Sequence, residues 1–283
     1  MTNPPAIVAD SSGPALTDQL RTVWAALAEL GATLSDEQWA SPTPCPGWSV
    51  AAQYAHVVGT ESMILGRPNP EVPAPAERPA HVLNPIAEFN EVWVTALAAE
   101  PREEVLRQLA EVTRVRLEAL EAMTEADFAA PSWTPVGQAD YRRFMQVRVF
   151  DCWVHEQDIR DAIGRPGGES GPVAEQATDE LVRAAGFVVG KKAGAPRDAG
   201  VRFELRGPLV RRIDVEVADR ARVVAELAAP PTVTVELSST AYSRLGCGRI
   251  TPAAVLGGGL GGVRFDGDEI LGRRIVENLA FTI

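Results

Sequence analysis

The stretch Lys191-Lys192-Ala193-Gly194-Ala195-Pro196-Arg197-Asp198-Ala199-Gly200-Val201-Arg202-Phe203-Glu204-Leu205-Arg206 divides the chain. Before it, apolar residues recur every three or four positions. After it, they alternate. Val201, Phe203 and Leu205 alternate with Arg202, Glu204 and Arg206. Ile213, Val215 and Val217 alternate with Asp214 and Glu216, and Val233, Val235 and Leu237 with Thr232, Thr234 and Glu236. A period of two with one polar side predicts an antiparallel sheet that is wet on one face. Ser239–Leu245 and Glu269–Leu279 read as short helices that cover the apolar face.

Working back from the divide, the chain reads as helices. Leu16, Leu20, Val23, Leu27 and Leu30 form one stripe, and Asp36–Ala40 is a short turn of helix. The prolines of Pro42-Thr43-Pro44-Cys45-Pro46-Gly47-Trp48 exclude a helix there, and Ser49 is placed to cap one over Val50–Leu65. Pro68–Pro79 is a proline-rich loop, and Ile86–Ala99 is the next helix. Pro101 starts a helix continued by Glu103–Met123. Gln138–Ile163 is the longest periodic segment and stops at Gly164 and Pro166; Pro172–Val189 follows. The fold class is α+β, with a helical bundle over residues 10–190 and a small antiparallel-sheet domain over 200–283.

Composition narrows the function classes. Of 283 residues, 46% are hydrophobic and 23% charged, the balance of a globular chain and not of a disordered one. The net charge is −11, and the first 199 residues carry −12 of it against +1 for the rest. An acidic surface repels phosphate backbones, so a nucleic-acid partner is not expected. Met1–Ala15 holds no Lys or Arg and no apolar segment, so no secretory signal is expected. Ala253–Val263, the longest uncharged apolar-looking run, is too short and too glycine-rich to span a membrane. Cys45, Cys152 and Cys247 are odd in number and without framework spacing, which points to a reducing, cytoplasmic setting.

The chain has only three histidines. His56 lies within the Val50–Leu65 helix among Tyr54, Ala55, Val57 and Val58. His155 lies within Gln138–Ile163, four residues after Asp151, so the two side chains share a helix face. A carboxylate and an imidazole one turn apart, joined by an imidazole from a second helix, make a three-ligand metal site that leaves one position open. Asp158 follows on the same side and could orient an imidazole. The bland alternative is a surface ion pair at i,i+4. The apolar neighbours of Asp151 (Phe150, Cys152, Trp153, Val154) weigh against it, because buried charge needs a partner or a metal. His81, beside Pro79, reads as a surface residue, and Tyr54 and Trp153 as core.

Pro42-x-Pro44-Cys45-Pro46-Gly47-Trp48-Ser49-Val50 followed by His56, and Val149-x-Asp151-Cys152-Trp153-Val154-His155-x-x-Asp158-Ile159, resemble the two metal motifs of mycothiol-dependent maleylpyruvate isomerase-like proteins in the DinB-like group. Tyr242-x-Arg244-Leu245-x-x-Gly248-Arg249-Ile250-x-Pro252, then Phe265-x-Gly267-Asp268 and Leu271-Gly272, resemble that family's C-terminal domain. The resemblance implies a DinB-like four-helix bundle with a sterol-carrier-like α+β domain. It implies zinc or a similar divalent ion on His56, Asp151 and His155, and the actinobacterial thiol mycothiol as cosubstrate. Asp151 stands where the family often has Glu, one methylene longer.

The implied chemistry is attack by a thiolate on a small electrophile, because a coordinated thiol is deprotonated. If sulfur is retained, the reaction is an S-transfer. If sulfur adds to a cis double bond and leaves after rotation, it is a cis–trans isomerisation, as with maleylpyruvate in aromatic catabolism. A non-catalytic binding or regulatory member is the third reading. Arg249 and Arg264 are candidates to bind a carboxylate of substrate or thiol, weighed against surface or capping roles. Gly257-x-Gly259-x-x-Gly262 matches a dinucleotide pattern, but Val263-Arg264-Phe265 after it reads as a strand, so the required helix is missing. Cys45 has no base near it in sequence to make it reactive.

Overall fold

The computed structural model describes residues 9–73, 77–98 and 100–282, so most of the proline-rich loop is included, while Met1–Val8 and Ala99 lie outside the described residues. The chain forms two compact units, one of Asp10–Gly167 and one containing Ala9 and the residues from Gly168 onward.

The first unit is built on four long helices: α1 (Gly13–Ala32), α3 (Val50–Ile64), α5 (Arg102–Glu121) and α7 (Tyr141–Ile163). α1 packs on α5 and α7, and α3 packs on the same two, closing a four-helix ring. α2 (Asp36–Ala40) and α6 (Glu125–Phe128) are short connecting helices, each with a capping box. The predicted stripe of α1 is its core face, with Leu16, Leu20 and Leu27 fully buried. α3 is buried almost all round because α4 (Pro85–Ala98) covers its remaining side. Gly59 permits that approach: a Cβ there would lie 2.4 Å from the Trp93 ring. Gly59→Ala is expected to lower stability by about 1–3 kcal/mol through overpacking. A chemical melt would test this, and an unchanged midpoint would refute it.

Helix ends follow the local chemistry. Ser49 caps α3 by accepting from the Ala52 amide, and Gly164 ends α7 at φ +65. α7 starts later than its periodicity suggests, because residues 137–140 form a strand. β1 (Pro131–Thr134) and β2 (Gly137–Asp140) make an antiparallel hairpin that packs on α7. Gly137 at φ +106 makes the tight return, and the short polar strands left no alternation to read.

The second unit holds α8 (Pro172–Phe187), a π-helical turn (Val188–Lys192) and a five-stranded sheet. The strands are β3 (Gly200–Arg206), β4 (Arg211–Val217), β5 (Ala221–Val224), β6 (Val233–Ser238) and β7 (Val263–Gly267), in the order β5-β4-β3-β6-β7. The sheet is mixed rather than purely antiparallel, since β6 crosses over to run parallel to β3. α9 (Ser239–Gly246) and, after the short α10 (Pro252–Leu256), α11 (Glu269–Glu277) cover the apolar face as expected. α8, read in sequence as bundle, also belongs here and packs on β4 and β5. Its Asp179 pairs with Arg211 of β4, both buried, so the boundary falls ahead of α8 and not at the Lys-Gly-Pro segment. No described helix is long and apolar enough to cross a membrane.

Candidate metal centre and its cleft

α3 and α7 are neighbours in the ring, and their facing sides bring His56, Asp151 and His155 together. The three offer ligand atoms that lie within 4.8 Å of one another. His56 Nε2 is 3.0 Å from Asp151 Oδ2, and His155 Nε2 is 3.6 Å from Asp151 Oδ1. Tetrahedral zinc bound to imidazole and carboxylate at about 2.0–2.1 Å sets its donor atoms about 3.3 Å apart. These two spacings run to different Asp151 oxygens, and one donor atom from each residue lies within 4.8 Å of the others, so the three are chemically suited donors that a divalent ion would draw together.

Residues the sequence reading did not select hold these three in place. His155 Nδ1–H donates to Gln53 Oε1, one turn before His56 on α3. Gln53 Nε2 in turn donates to Thr43 Oγ1 at 2.7 Å, which fixes the amide so that its oxygen faces the histidine. The proton is therefore on Nδ1, and Nε2 keeps its lone pair on the Asp151 side. Asp158 lies 3.8 Å from the same Nδ1, farther than Gln53.

The proline-rich turn supplies a lid of ring atoms. Thr43 and Trp48 close it by a backbone hydrogen bond of 3.0 Å. The Trp48 ring lies 5.1 Å from that of His56 and 5.6 Å from that of His155. Trp48 Nε1 donates to Glu91 at 2.7 Å, and the same Glu91 oxygen is 2.8 Å from His81 Nε2. His81 is thus not a plain surface residue: it is part-buried against Gly47 and ties α4 to this turn.

Behind Asp151 runs a buried charge cluster. Arg148 donates through Nη1 to Asp151 Oδ2, and through Nε (3.0 Å) and Nη2 (2.7 Å) to Glu61. Arg116 Nε donates to the other Glu61 oxygen at 2.9 Å. Glu61 is wholly inaccessible and both arginines are 3% exposed. Burial pushes the Asp151 carboxyl up, but His56, Arg148 and His155 together outweigh it and hold the group well below the usual carboxylate range. Asp151 is therefore an anion at neutral pH, ready to ligate. The signal for Glu61 and Arg148 in sequence was a charge inside an otherwise apolar helix run, but nothing there said which charges meet.

A cleft of about 390 Å³ opens onto this cluster, with His56, Asp151 and Arg148 in its wall and Met63, Phe89, Trp133 and Phe144 around it. Tyr54 and Trp153 are core and do not line it. Arg249 and Arg264 sit in the second unit, where Arg249 donates to the Cys247 carbonyl at 3.0 Å and Arg264 pairs with Glu236. Burial pushes the Cys152 thiol up to about 12, so it stays neutral. In the native protein a thiol reagent is expected to modify part-exposed Cys45 and to spare buried Cys152 and Cys247 until denaturant is added. Rapid native labelling of Cys152, located by peptide mapping, would contradict this.

Comparison with known proteins agrees with this architecture. Residues 20–160 match the family described as mycothiol maleylpyruvate isomerase N-terminal domain. Two uncharacterized proteins of Mycobacterium tuberculosis, from strains CDC 1551 / Oshkosh and ATCC 25618 / H37Rv, are each 34% identical over 153 residues, 54% of this chain and 57% of theirs. The chain thus spans little more than half the length of these relatives. Two crystal structures of the mycothiol-dependent maleylpyruvate isomerase, one of them an alanine mutant, have TM-scores of 0.54 and 0.53. Each covers 90% of this chain and 92% of its own at 14% identity, which shows a shared fold.

Proposed function

Because the chain belongs, through its helical bundle, to the mycothiol maleylpyruvate isomerase N-terminal domain family, we propose that it is a metal-dependent enzyme that takes mycothiol as cosubstrate and delivers its sulfur to a small electrophile, as an S-transferase or isomerase. The observation that carries this reading is the convergence of His56, Asp151 and His155 ligand atoms within 4.8 Å of one another, with His56 and Asp151 in the wall of a cleft.

These three residues would hold a divalent ion, zinc by the chemistry of the donors. Such an ion supplies a thiol with its ionised, nucleophilic form at neutral pH. The protein's own groups do the rest. Gln53 keeps the His155 proton on Nδ1. Arg148 occupies Asp151 Oδ2 and leaves Oδ1 toward His155. Trp48 covers both imidazoles and excludes water from that side. The anionic charge of Asp151 offsets part of the cation's charge.

The test is metal content and thiol binding measured together. Purified protein is expected to carry close to one equivalent of divalent metal. Saturating mycothiol, at about 100 times its Kd, should then add about 2.7 kcal/mol to stability and raise Tm. Protein that holds no metal and takes up none from added zinc would sink the reading. Metal without any thiol effect on Tm would leave a binding protein in its place.

A further inference from the structure

The wall of the cleft says what kind of molecule meets the thiol. Apart from the metal cluster it is mostly apolar, with Met63, Ile86, Phe89, Trp133, Phe144 and Val147, and its polar members are Thr60 and Asn90. Trp133 stands half-exposed on the β1–β2 hairpin at the rim and meets Phe144 edge-on, with ring centroids 6.2 Å apart. The one cationic side chain in the wall, Arg148, has every nitrogen committed, to Glu61, Asp151 and the Cys152 sulfur. A carboxylate entering here would give up its hydration for a wall that is mostly hydrocarbon, and the Arg148 guanidinium in that wall is already engaged by Glu61 and Asp151.

A buried hydroxyl in the wall lacks a partner. Thr60 sits one turn after His56 on α3, is 8% exposed, and its Oγ1 has no hydrogen-bond partner among the described residues. Buried hydroxyls are nearly always paired, so an unpaired one in a cleft wall is a place for a ligand atom. A volume of about 390 Å³ lies at the small end of the range for ligand pockets.

We propose that this cleft is the electrophile subsite, and that it takes an uncharged, flat, largely apolar molecule carrying a single hydrogen-bonding group, such as a conjugated carbonyl, which Thr60 meets. Trp133 and Phe89 are its specificity-determining residues. The inference rests on the enzyme reading above for the word electrophile, but not for the pocket itself. It also disfavours a dicarboxylate such as maleylpyruvate at this wall.

The experiment compares trans-cinnamamide with trans-cinnamate, which match in size and differ in charge, by calorimetric titration of the full chain with metal content measured on the same sample. Cinnamamide is expected to bind about tenfold tighter or more, because a full charge costs more to dehydrate than an amide on entering a mostly apolar wall. Trp133→Ala and Phe89→Ala should each weaken cinnamamide about fivefold to tenfold, with metal content and circular dichroism unchanged. Thr60→Val should weaken cinnamamide severalfold and leave trans-β-methylstyrene, which has no polar group, unaffected. Equal or tighter binding of cinnamate overturns the proposal, as does cinnamamide binding that neither aromatic substitution changes. Metal-free protein that keeps the preference for the amide supports the pocket and removes the enzyme reading. One equivalent of metal without the preference does the reverse.

Discussion

Glu61→Gln is expected to lower stability by about 3–5 kcal/mol, the largest effect of any single substitution outside the apolar core. Glu61 is wholly buried, and its two oxygens accept from Arg116 at 2.9 Å and from Arg148 at 2.7 and 3.0 Å. The amide keeps the shape but removes the charge, so two guanidinium groups, each 3% exposed, lose their shared counter-ion. Desolvated cations without a counter-charge are what makes breaking a buried pair expensive. In a chain of this size that loss should lower Tm on the order of 10 °C. Denaturant melts of Glu61→Gln, Arg116→Met and the double variant would measure it. A loss under about 1 kcal/mol for Glu61→Gln would mean that water reaches the cluster and that its coupling is weak. The geometry also links stability to the site, because Arg148 bridges Glu61 and Asp151. Glu61→Gln protein that still folds should bind divalent metal more weakly by about 10–100-fold, the range for lost outer partners of a metal ligand.

His155→Ala is expected to reduce bound metal from near one equivalent to the background of the assay, and with it any mycothiol-dependent turnover. The side chain contributes one of three converging donors, with its Nε2 3.6 Å from Asp151 Oδ1. Two remaining donors leave a carboxylate and one imidazole, too few for a tight zinc site. The affinity loss should exceed the 10–100-fold of an outer-partner change and be on the order of 10³-fold or more. Gln53→Leu separates ligation from orientation. It leaves all three donors but frees the His155 ring, since Gln53 Oε1 is the acceptor that holds Nδ1–H. Gln53→Leu should therefore keep metal at high zinc and lose it about 10–100-fold more easily to a chelator. Full metal retention in His155→Ala, measured by elemental analysis after dialysis, would remove the three-ligand site. Identical chelator profiles for wild type and Gln53→Leu would remove only the orienting role.

Much of this fold is legible in the local sequence. The α1 stripe, the Ser49 cap, the Gly164 stop and the alternation in β3, β4 and β6 are local signals, each produced by the same short-range physics that shapes the element. His56, Asp151 and His155 could also be singled out, because polar groups inside apolar helix faces need an explanation. What escaped was long-range. The hairpin at residues 131–140 has too few apolar residues to show a period, yet it carries Trp133 to the rim of the cleft. α8 looks like any amphipathic helix, and only the buried Asp179–Arg211 pair and the sheet beneath it decide which unit it joins.

The helix and strand segments, and the residue types able to hold a metal, follow from local sequence, since periodicity, caps and buried polarity are properties of neighbours along the chain. Long-range packing sets α3 and α7 side by side, so that residues 95 positions apart close to 3.0 Å. It also decides that Gln53, Glu61 and Arg148 stand behind the ligands and that apolar side chains wall the cleft in front of them. Those contacts depend on which helix faces which. That choice is made by packing of the whole core and leaves no local trace.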